Sequence, residues 1–404
     1  MANHSSFGFI VGINTKCLLR KTIIFMRNSV LLILFGFFYF PTLHAQPITV
    51  YQSGESGYTC FRIPAIVKAP DGTLLAFAEG RVNDCGDFGN VDIVLKTSAD
   101  HGKTWGALRV IVDNTTLQAG NPAPMVDLTD PRYPHGRIFL VYNTGNASEQ
   151  ANREGRGARE VFYITSTDNG GSWSTPTNIT ISVHRPNNPQ YNPDYTFKED
   201  WRSYANTPGH ALQLTKGKYN GRLLVPANHS EGPPQKDFRD YHAHAFFSDD
   251  HGATWKLSSV IEYPGSNEST AAELSDGSVL MNMRNQSGDQ KYRLVSKSTS
   301  GGQVWEKSSV ETQLPDPVCQ GSILNVPMSK RKSVLFFSNL NSTTKRENLT
   351  VYKSVDDGTT WALFRVVDAG SAAYSDLVQT ANKQIGALYE KDNYRKIVFI
   401  AFDF

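Results

Sequence analysis

One octet, Ser-x-Asp-x-Gly-x-x-Trp, recurs along the chain and limits the folds open to it. It stands at Ser98–Trp105 (SADHGKTW), Ser166–Trp173 (STDNGGSW), Ser248–Trp255 (SDDHGATW) and Ser354–Trp361 (SVDDGTTW). A degenerate copy, Ser298–Trp305 (STSGGQVW), has Ser300 in the aspartate place. Five of the six tryptophans lie in these octets, so chance spacing does not account for them. The aspartate of such a turn accepts hydrogen bonds from the backbone it begins. The glycine supplies a positive φ, and the tryptophan brings a large apolar face. The octet therefore reads as a self-capped hairpin turn with the tryptophan folded back beneath it. A calcium loop is the rival, but an EF-hand loop needs further ligands and a glutamate at its twelfth position. The loop from Asp168 has Ser174, Thr175 and Pro176 towards that slot, and the loop from Asp100 reaches Ile111 there. The octets are expected to be structural.

A second repeat counts the units. Six strand-like segments share a pattern: Gly72–Glu79, Gly136–Asn143, Gly221–Asn228, Gly277–Arg284, Ser333–Leu340 and Gln384–Lys391. Neighbouring copies begin roughly 50 to 85 residues apart, a period that in an all-β chain means a propeller of four-stranded blades. Short apolar runs broken by Gly, Asn and Asp dominate, with 32 Gly and 20 Pro, which supports all-β over helical folds. The expectation is a six-bladed β-propeller, closed by pairing Ile48–Tyr51 with Lys396–Ala401. Two β-sandwiches would not explain one recurrent turn. The longest gap, with His184–Tyr195 and then Asp200-Trp201-Arg202, reads as a long loop over one face.

The first 45 residues read as a leader. Ser29–Phe40 is an uncharged apolar run preceded by Lys21 and Arg27 and followed by Pro41 and Ala45. Twelve residues are too few to cross a bilayer of about 30 Å, so a signal peptide cut after Ala45 is expected, with Met26 a plausible start. The expected mature chain, residues 46–404, is one catalytic domain, secreted or periplasmic, with no membrane segment after cleavage. It keeps Cys60, Cys85 and Cys319. Cys60–Cys85 is the pair to test for a disulfide, against three buried free thiols. A net charge of +2 gives no reason to expect nucleic acid or an anionic membrane as partner.

Propeller sites form at the channel mouth, where strand ends of different blades converge, so charged strand ends are the candidates. Arg62 opens a strand-forming run, Cys60-Phe61-Arg62-Ile63-Pro64-Ala65-Ile66-Val67, and an isolated charge there must reach solvent or face an anion. Arg81 follows the first recurrent segment, Arg284 ends the fourth, and Arg346 precedes the last octet. Acidic candidates are Asp87 and Asp92 in one loop, and Glu268 and Glu273 before Arg284. Tyr374 lies in Ala372-Ala373-Tyr374-Ser375-Asp376.

These residues resemble those of the bacterial-type sialidases (neuraminidases). The octet is similar to their Asp-box, and Phe61-Arg62-Ile63-Pro64 resembles their N-terminal arginine motif. The spacings of Arg62 to the Asp87 loop, Glu268 to Arg284 and Arg346 to Tyr374 also fit, over nearly all of residues 46–404. The resemblance implies that Arg62, Arg284 and Arg346 clamp the sialic acid carboxylate and that Asp87 is the general acid/base. It implies Tyr374 as nucleophile, Glu268 as the base that activates it, and Arg81 beside the sugar 4-hydroxyl. Glu273 is the rival for the Glu268 role. Arg81 is alternatively a blade-to-blade salt bridge, and Asp92 a structural acid.

The chemistry fits the residue types. Arginine forks bind carboxylates through paired charge-assisted bonds. An anionic nucleophile would be repelled by the carboxylate on the anomeric carbon, whereas a tyrosine hydroxyl is neutral and needs a base in reach. Sialidases are for this reason an exception to the two-carboxylate pattern of glycosidases. The implied activity is exo-α-sialidase hydrolysis with retention, acting on sialylated glycoproteins, glycolipids or oligosaccharides. The protein is expected to be monomeric and to use no cofactor or metal. His242-Ala243-His244 lacks a third spaced ligand and reads as a strand with one inward histidine. The alternatives are a trans-sialidase and a non-catalytic sialic acid-binding propeller. Arg62 is expected to find its partner in the substrate carboxylate rather than in a protein one.

Overall fold

The computed structural model describes residues 46–329 and 332–404. The leader reading falls outside the described residues. Each of the six recurrent segments becomes the second strand of a four-stranded antiparallel blade, because its continuous apolar run is buried on both faces between neighbouring blades. From the channel outward, blade 1 runs Cys60–Lys68, Leu74–Arg81, Val91–Ser98 and Arg109–Val112. Blade 2 uses Gln118–Asp127, Arg137–Gly145, Arg159–Ser166 and Thr177–Asn178. Blade 3 uses Trp201–Asn206, Leu223–Glu231, Tyr241–Ser248 and Lys256–Leu257. Blade 4 uses Ser266–Glu273, Val279–Asn285, Tyr292–Ser298 and Ser309–Pro315.

Blade 5 combines Ser322–Ser329, Lys332–Leu340 and Glu347–Ser354 with the first half of a long strand, Ala362–Ala381. The second half of that strand is the innermost of blade 6, followed by Gln384–Lys391 and Lys396–Asp403. Ile48–Gln52 adds the outer strand, with Ile48 opposite Phe399, and so closes the ring as expected. The third and fourth strands of blade 6 are thus the two ends of the propeller chain. No turn joins them, which is why six blades carry five octets.

One expectation is corrected. Trp201 and Arg202 do not belong to a loop; they begin the innermost strand of blade 3, and the flanking charges Asp200 and Arg202 hid it. Among the described residues no helix is long and apolar enough to cross a membrane.

In each octet the serine Oγ accepts from the glycine N–H, at 2.7–3.0 Å. Where an aspartate is present it also accepts from the backbone and hydroxyl of the seventh residue, as Asp168 does from Ser172 at 2.8 and 2.6 Å. The degenerate copy keeps the backbone bond through Ser300, which accepts from Val304 N–H at 2.8 Å. The tryptophans reach further than their own turns. Trp173 packs edge-on against Phe77 of blade 1, and Trp105 against Phe399 of blade 6. Each octet therefore couples its blade to the one before it.

Candidate active site

Ser98 at the octet end of its strand pairs with Leu74, while Arg81 at the far end of Leu74–Arg81 pairs with Val91. The octets and the charged strand ends thus lie at opposite ends of the blade, and the site forms at the second end. There the innermost strands share a device. In blades 1, 2, 3, 4 and 6, two residues of the inner strand oppose one of the next, between Arg62/Ala65, Gly120/Ala123, Trp201/Tyr204, Ser266/Ser269 and Ala372/Ser375. A one-residue bulge re-aims side chains that regular alternation would send between the blades. Arg62, Asn121, Glu268 and Tyr374 lie at or within these bulges. Pro64 and Pro122 fit there because a bulge leaves ladder positions unpaired.

The bulges and adjoining strand ends open a cleft of about 190 Å³, lined by Arg62, Arg81, Asp87, Glu268, Arg284, Arg346 and Tyr374. Seven of the residues nominated from the sequence therefore meet in one place, and Asp92 and Glu273 do not. Arg62 is 7 % exposed. Contrary to expectation it has a protein partner: its Nε donates to Glu390 Oε1 at 2.7 Å. Burial works against the Arg62 charge, and Glu390 more than offsets it, raising its pKa. The same carboxylate accepts from Ile63 N–H at 2.9 Å and Tyr374 N–H at 3.1 Å, so it ties two bulges together. The two Nη groups of Arg62 remain available to a ligand, with the guanidinium stacked 4.1 Å from the Tyr394 ring centroid. Arg346 Nη1 donates to the Tyr394 hydroxyl at 3.2 Å, which makes Tyr394 a spacer between two arginines.

Tyr374 Oη donates to Glu268 Oε1 at 2.5 Å. Arg284 Nη1 donates to Glu268 Oε2 at 2.7 Å and to Tyr374 Oη at 3.1 Å. Burial, and then the Glu268 charge, push the Tyr374 hydroxyl well above its ordinary pKa, against the pull of Arg284 and Arg346. The phenol is neutral at rest and has a base in contact. Glu273, the rival, lies at the other end of the same strand, where it accepts from Thr215 and Lys216 N–H. It does not line the cleft.

Asp87 projects from the loop between the second and third strands of blade 1, a loop tied to the inner strand by the Cys60–Cys85 disulfide. Cys319 is free and buried. Arg81 Nη1 donates to Asp87 Oδ1 at 2.8 Å, and its Nε and Nη2 donate to Glu79 at 3.0 and 2.6 Å. Partial removal from water would raise the Asp87 carboxyl, but the Arg81 and Arg62 charges outweigh it and hold it below the ordinary range. Arg81 thus has most of its donors on protein groups, including the Cys85 carbonyl. Asp92 accepts from the Tyr58 hydroxyl at 2.7 Å outside the cleft, and burial raises its carboxyl. His244 is fully buried against His229, with Nδ1 atoms 3.0 Å apart, while His242 is only half-buried.

Glu390 and Tyr394 were not among the sequence candidates. Glu390 had a signal: the recurrent segments finish on polar residues at or near their last position, as Glu79, Asn143, Asn228 and Arg284 do.

A family model described as a BNR repeat-like domain matches residues 69–389. A sialidase of Micromonospora viridifaciens is 33% identical over 353 residues, covering 84% of this chain and 51% of that protein, so the chain spans about half its length. Sialidase-2 of Cricetulus griseus is 30% identical, covering 88% of this chain and 95% of that protein. Among solved structures, a Hadza microbial sialidase superposes with a TM-score of 0.75 at 26% identity, covering 89% of this chain and 68% of that one. An intramolecular trans-sialidase of Ruminococcus gnavus gives 0.67 at 17% identity, covering 88% and 97%, and speaks to the fold alone.

Proposed function

Because the chain belongs to the sialidase family of glycoside hydrolases, we propose that it is an exo-α-sialidase that releases terminal sialic acid with retention, through a tyrosyl-enzyme intermediate. The observation that carries this reading is the contact of Tyr374 Oη with Glu268 at 2.5 Å beneath three converging guanidinia. The substrate carboxylate pairs with the open donors of Arg62, Arg284 and Arg346, each charge-assisted bond contributing roughly 1.5–3 kcal/mol. Tyr374 Oη then attacks the anomeric carbon while its proton passes to Glu268. The bond to the aglycone oxygen breaks, and that oxygen takes the Asp87 proton. In the second step Asp87 removes a proton from water, the water oxygen attacks the same carbon, and Tyr374 leaves with the proton returned by Glu268.

Tyr374→Phe tests it. Turnover of sialyllactose should fall by at least about 10³-fold, the scale expected when a nucleophile is removed, with the melting temperature little changed. Near wild-type turnover in that variant would remove Tyr374 from the role. Proton NMR of the wild-type digest should show the α anomer of free sialic acid first. A β anomer first, or a transferred rather than free sugar, would overturn the retaining-hydrolase reading.

A further inference from the structure

Arg159, at the seam of blades 2 and 3, has no place in the chemistry above. It lines the same cleft and is 6 % exposed, yet none of the hydrogen bonds or ion pairs among the described residues involves its side chain. Its Nε is buried without an acceptor, and Gln118 Oε1 is buried without a donor. A guanidinium removed from water without partners is costly and waits for an acceptor. Room for one is built in. Gly145 pairs with Gln118 on one side and Arg159 on the other. A Cβ there would lie 3.0 Å from Gln118 Oε1 and 3.1 Å from Arg159 Nε. The missing side chain lets the two polar groups close over the glycine at the cleft wall. Glu149, a carboxylate of the same cleft, accepts from the Tyr241 hydroxyl and forms no ion pair with Arg159, whose charge reaches Asp87 without a hydrogen bond.

The orientation of the sugar says what reaches this wall. The clamp arginines come from blades 1, 4 and 5, the nucleophile from blade 6, and Asp87 from blade 1. These fix C2, which carries both the carboxylate and the scissile bond. In a pyranose ring C5 lies diagonally opposite C2, and in sialic acid C6 beside it bears a three-carbon glycerol chain. The far side of the sugar therefore projects over blades 2 and 3.

Resting on the sialidase reading, we propose that Arg159 and Gln118 form a substrate-binding subsite, in which Arg159 donates to an oxygen on the far side of the ring and Gln118 Oε1 accepts from an N–H or O–H of the same substituent. The oxygen belongs to the acyl group on C5 or to the glycerol chain on C6.

The test measures kcat/KM of wild type, Arg159→Met and Arg159→Lys on three aryl sialosides: the N-acetyl sugar, its analogue with hydroxyl in place of the acylamino group, and its analogue with the chain shortened to C7. Arg159→Met should lose about 10- to 100-fold on the N-acetyl sugar, the worth of one or two charge-assisted bonds. The loss should shrink to less than about threefold on whichever analogue lacks the oxygen, which identifies the acyl group or the chain. Arg159→Lys keeps the charge without the fork and should show the same substrate dependence at smaller amplitude, so it decides the matter if the methionine variant does not fold. An equal loss on all three sugars, or no loss on any, overturns the subsite. If wild type turns over none of them, the sialidase reading itself fails; if wild type is active and the variants' ratios do not move, only the subsite does.

Discussion

At Arg62 the resting enzyme balances one charge with one carboxylate and leaves an edge of the guanidinium open. Glu390 holds the Nε, and it also holds Ile63 N–H, a β-branched residue at φ 56°. Such a conformation costs of order 1–3 kcal/mol and persists only when its surroundings over-determine it. On the proposed mechanism Glu390 is a positioning residue for both the carboxylate clamp and, through Tyr374 N–H, the nucleophile. Asp87 shows the opposite balance. The proposed mechanism makes Asp87 the general acid, which must hold a proton, yet Arg81 and Arg62 keep this carboxyl ionised at rest. In the proposed binding mode substrate changes both terms, because its carboxylate would cancel positive field at the arginines and its aglycone would shield the loop from water. The active form is protonated, so rate falls as pH rises through the Asp87 pKa. With sialyllactose, the alkaline fall governed by Asp87 should therefore come at higher pH in kcat than in kcat/KM, which reports the free enzyme. Coincident limbs would show that substrate does not raise Asp87. Asp87→Asn should abolish that limb and cost about 10²–10⁴-fold on sialyllactose. An aryl sialoside, whose leaving group needs no proton, should suffer far less.

The elements divide the work between two ends of each blade. Bulges at one end aim the chemistry, and octets at the other couple neighbours. The octet glycine is the tightest point. At Gly170 φ is +85°, and an added Cβ would lie 2.6 Å from Leu75 of blade 1. At Gly252 φ is +82° and the corresponding clash is with Phe139 of blade 2. Gly170→Ala should therefore lower the melting temperature more than Asp168→Ala, which loses polar contacts at an exposed turn worth about 1 kcal/mol, or roughly 1–2 °C in a domain of this size. Neither should change kcat at 25 °C, since the octets lie at the far end from the cleft. A larger loss for Asp168→Ala, or a fall in kcat for either, would contradict this division. The octet's internal bonds and the six second strands were legible in the sequence because they are local and repeated. Its contact with the preceding blade was not, since Phe399 and Leu75 carry no mark that pairs them with Gly102 and Gly170. The bulges were equally hidden: Arg62-Ile63-Pro64 and Asn121-Pro122 contain the proline that a bulge tolerates, but Glu268 and Tyr374 sit in bulges without one. Arg159 escaped because it opens a third strand, where no recurrent pattern draws attention to a charge.

Around the axis, one carboxylate joins four blades. Asp376, on the inner strand of blade 6, accepts from Ile66 N–H of blade 1 at 2.8 Å and from Ser322 Oγ of blade 5 at 2.7 Å. It also meets His210, just after the inner strand of blade 3, through the backbone N–H at 3.0 Å and Nδ1 at 2.7 Å. A propeller has no single core, and its apolar clusters lie between successive blades, so such cross-axis contacts hold the ring to one diameter. None was visible in the sequence, because the partners are up to 310 residues apart. Burial would lower the His210 pKa, but the Asp376 charge and hydrogen bond outweigh it and raise it above 6.5. A histidine pKa raised on folding contributes stability that is fully present below its unfolded value, near 6.5, and is lost as pH rises through the folded value. The contribution is about 1.4 kcal/mol for each unit of that displacement. His210→Gln should therefore destabilise the protein most at pH 5.5–6.5, with the difference in melting temperature from wild type narrowing as pH rises towards 9. The variant-minus-wild-type difference cancels every other titrating group common to both, so a gap that stays constant from pH 5.5 to 9 would show that His210 is not charged in the folded ring. Asp376→Ala, which leaves the histidine and two blade contacts without their acceptor, should cost about 3–5 kcal/mol at any pH below the folded pKa of His210.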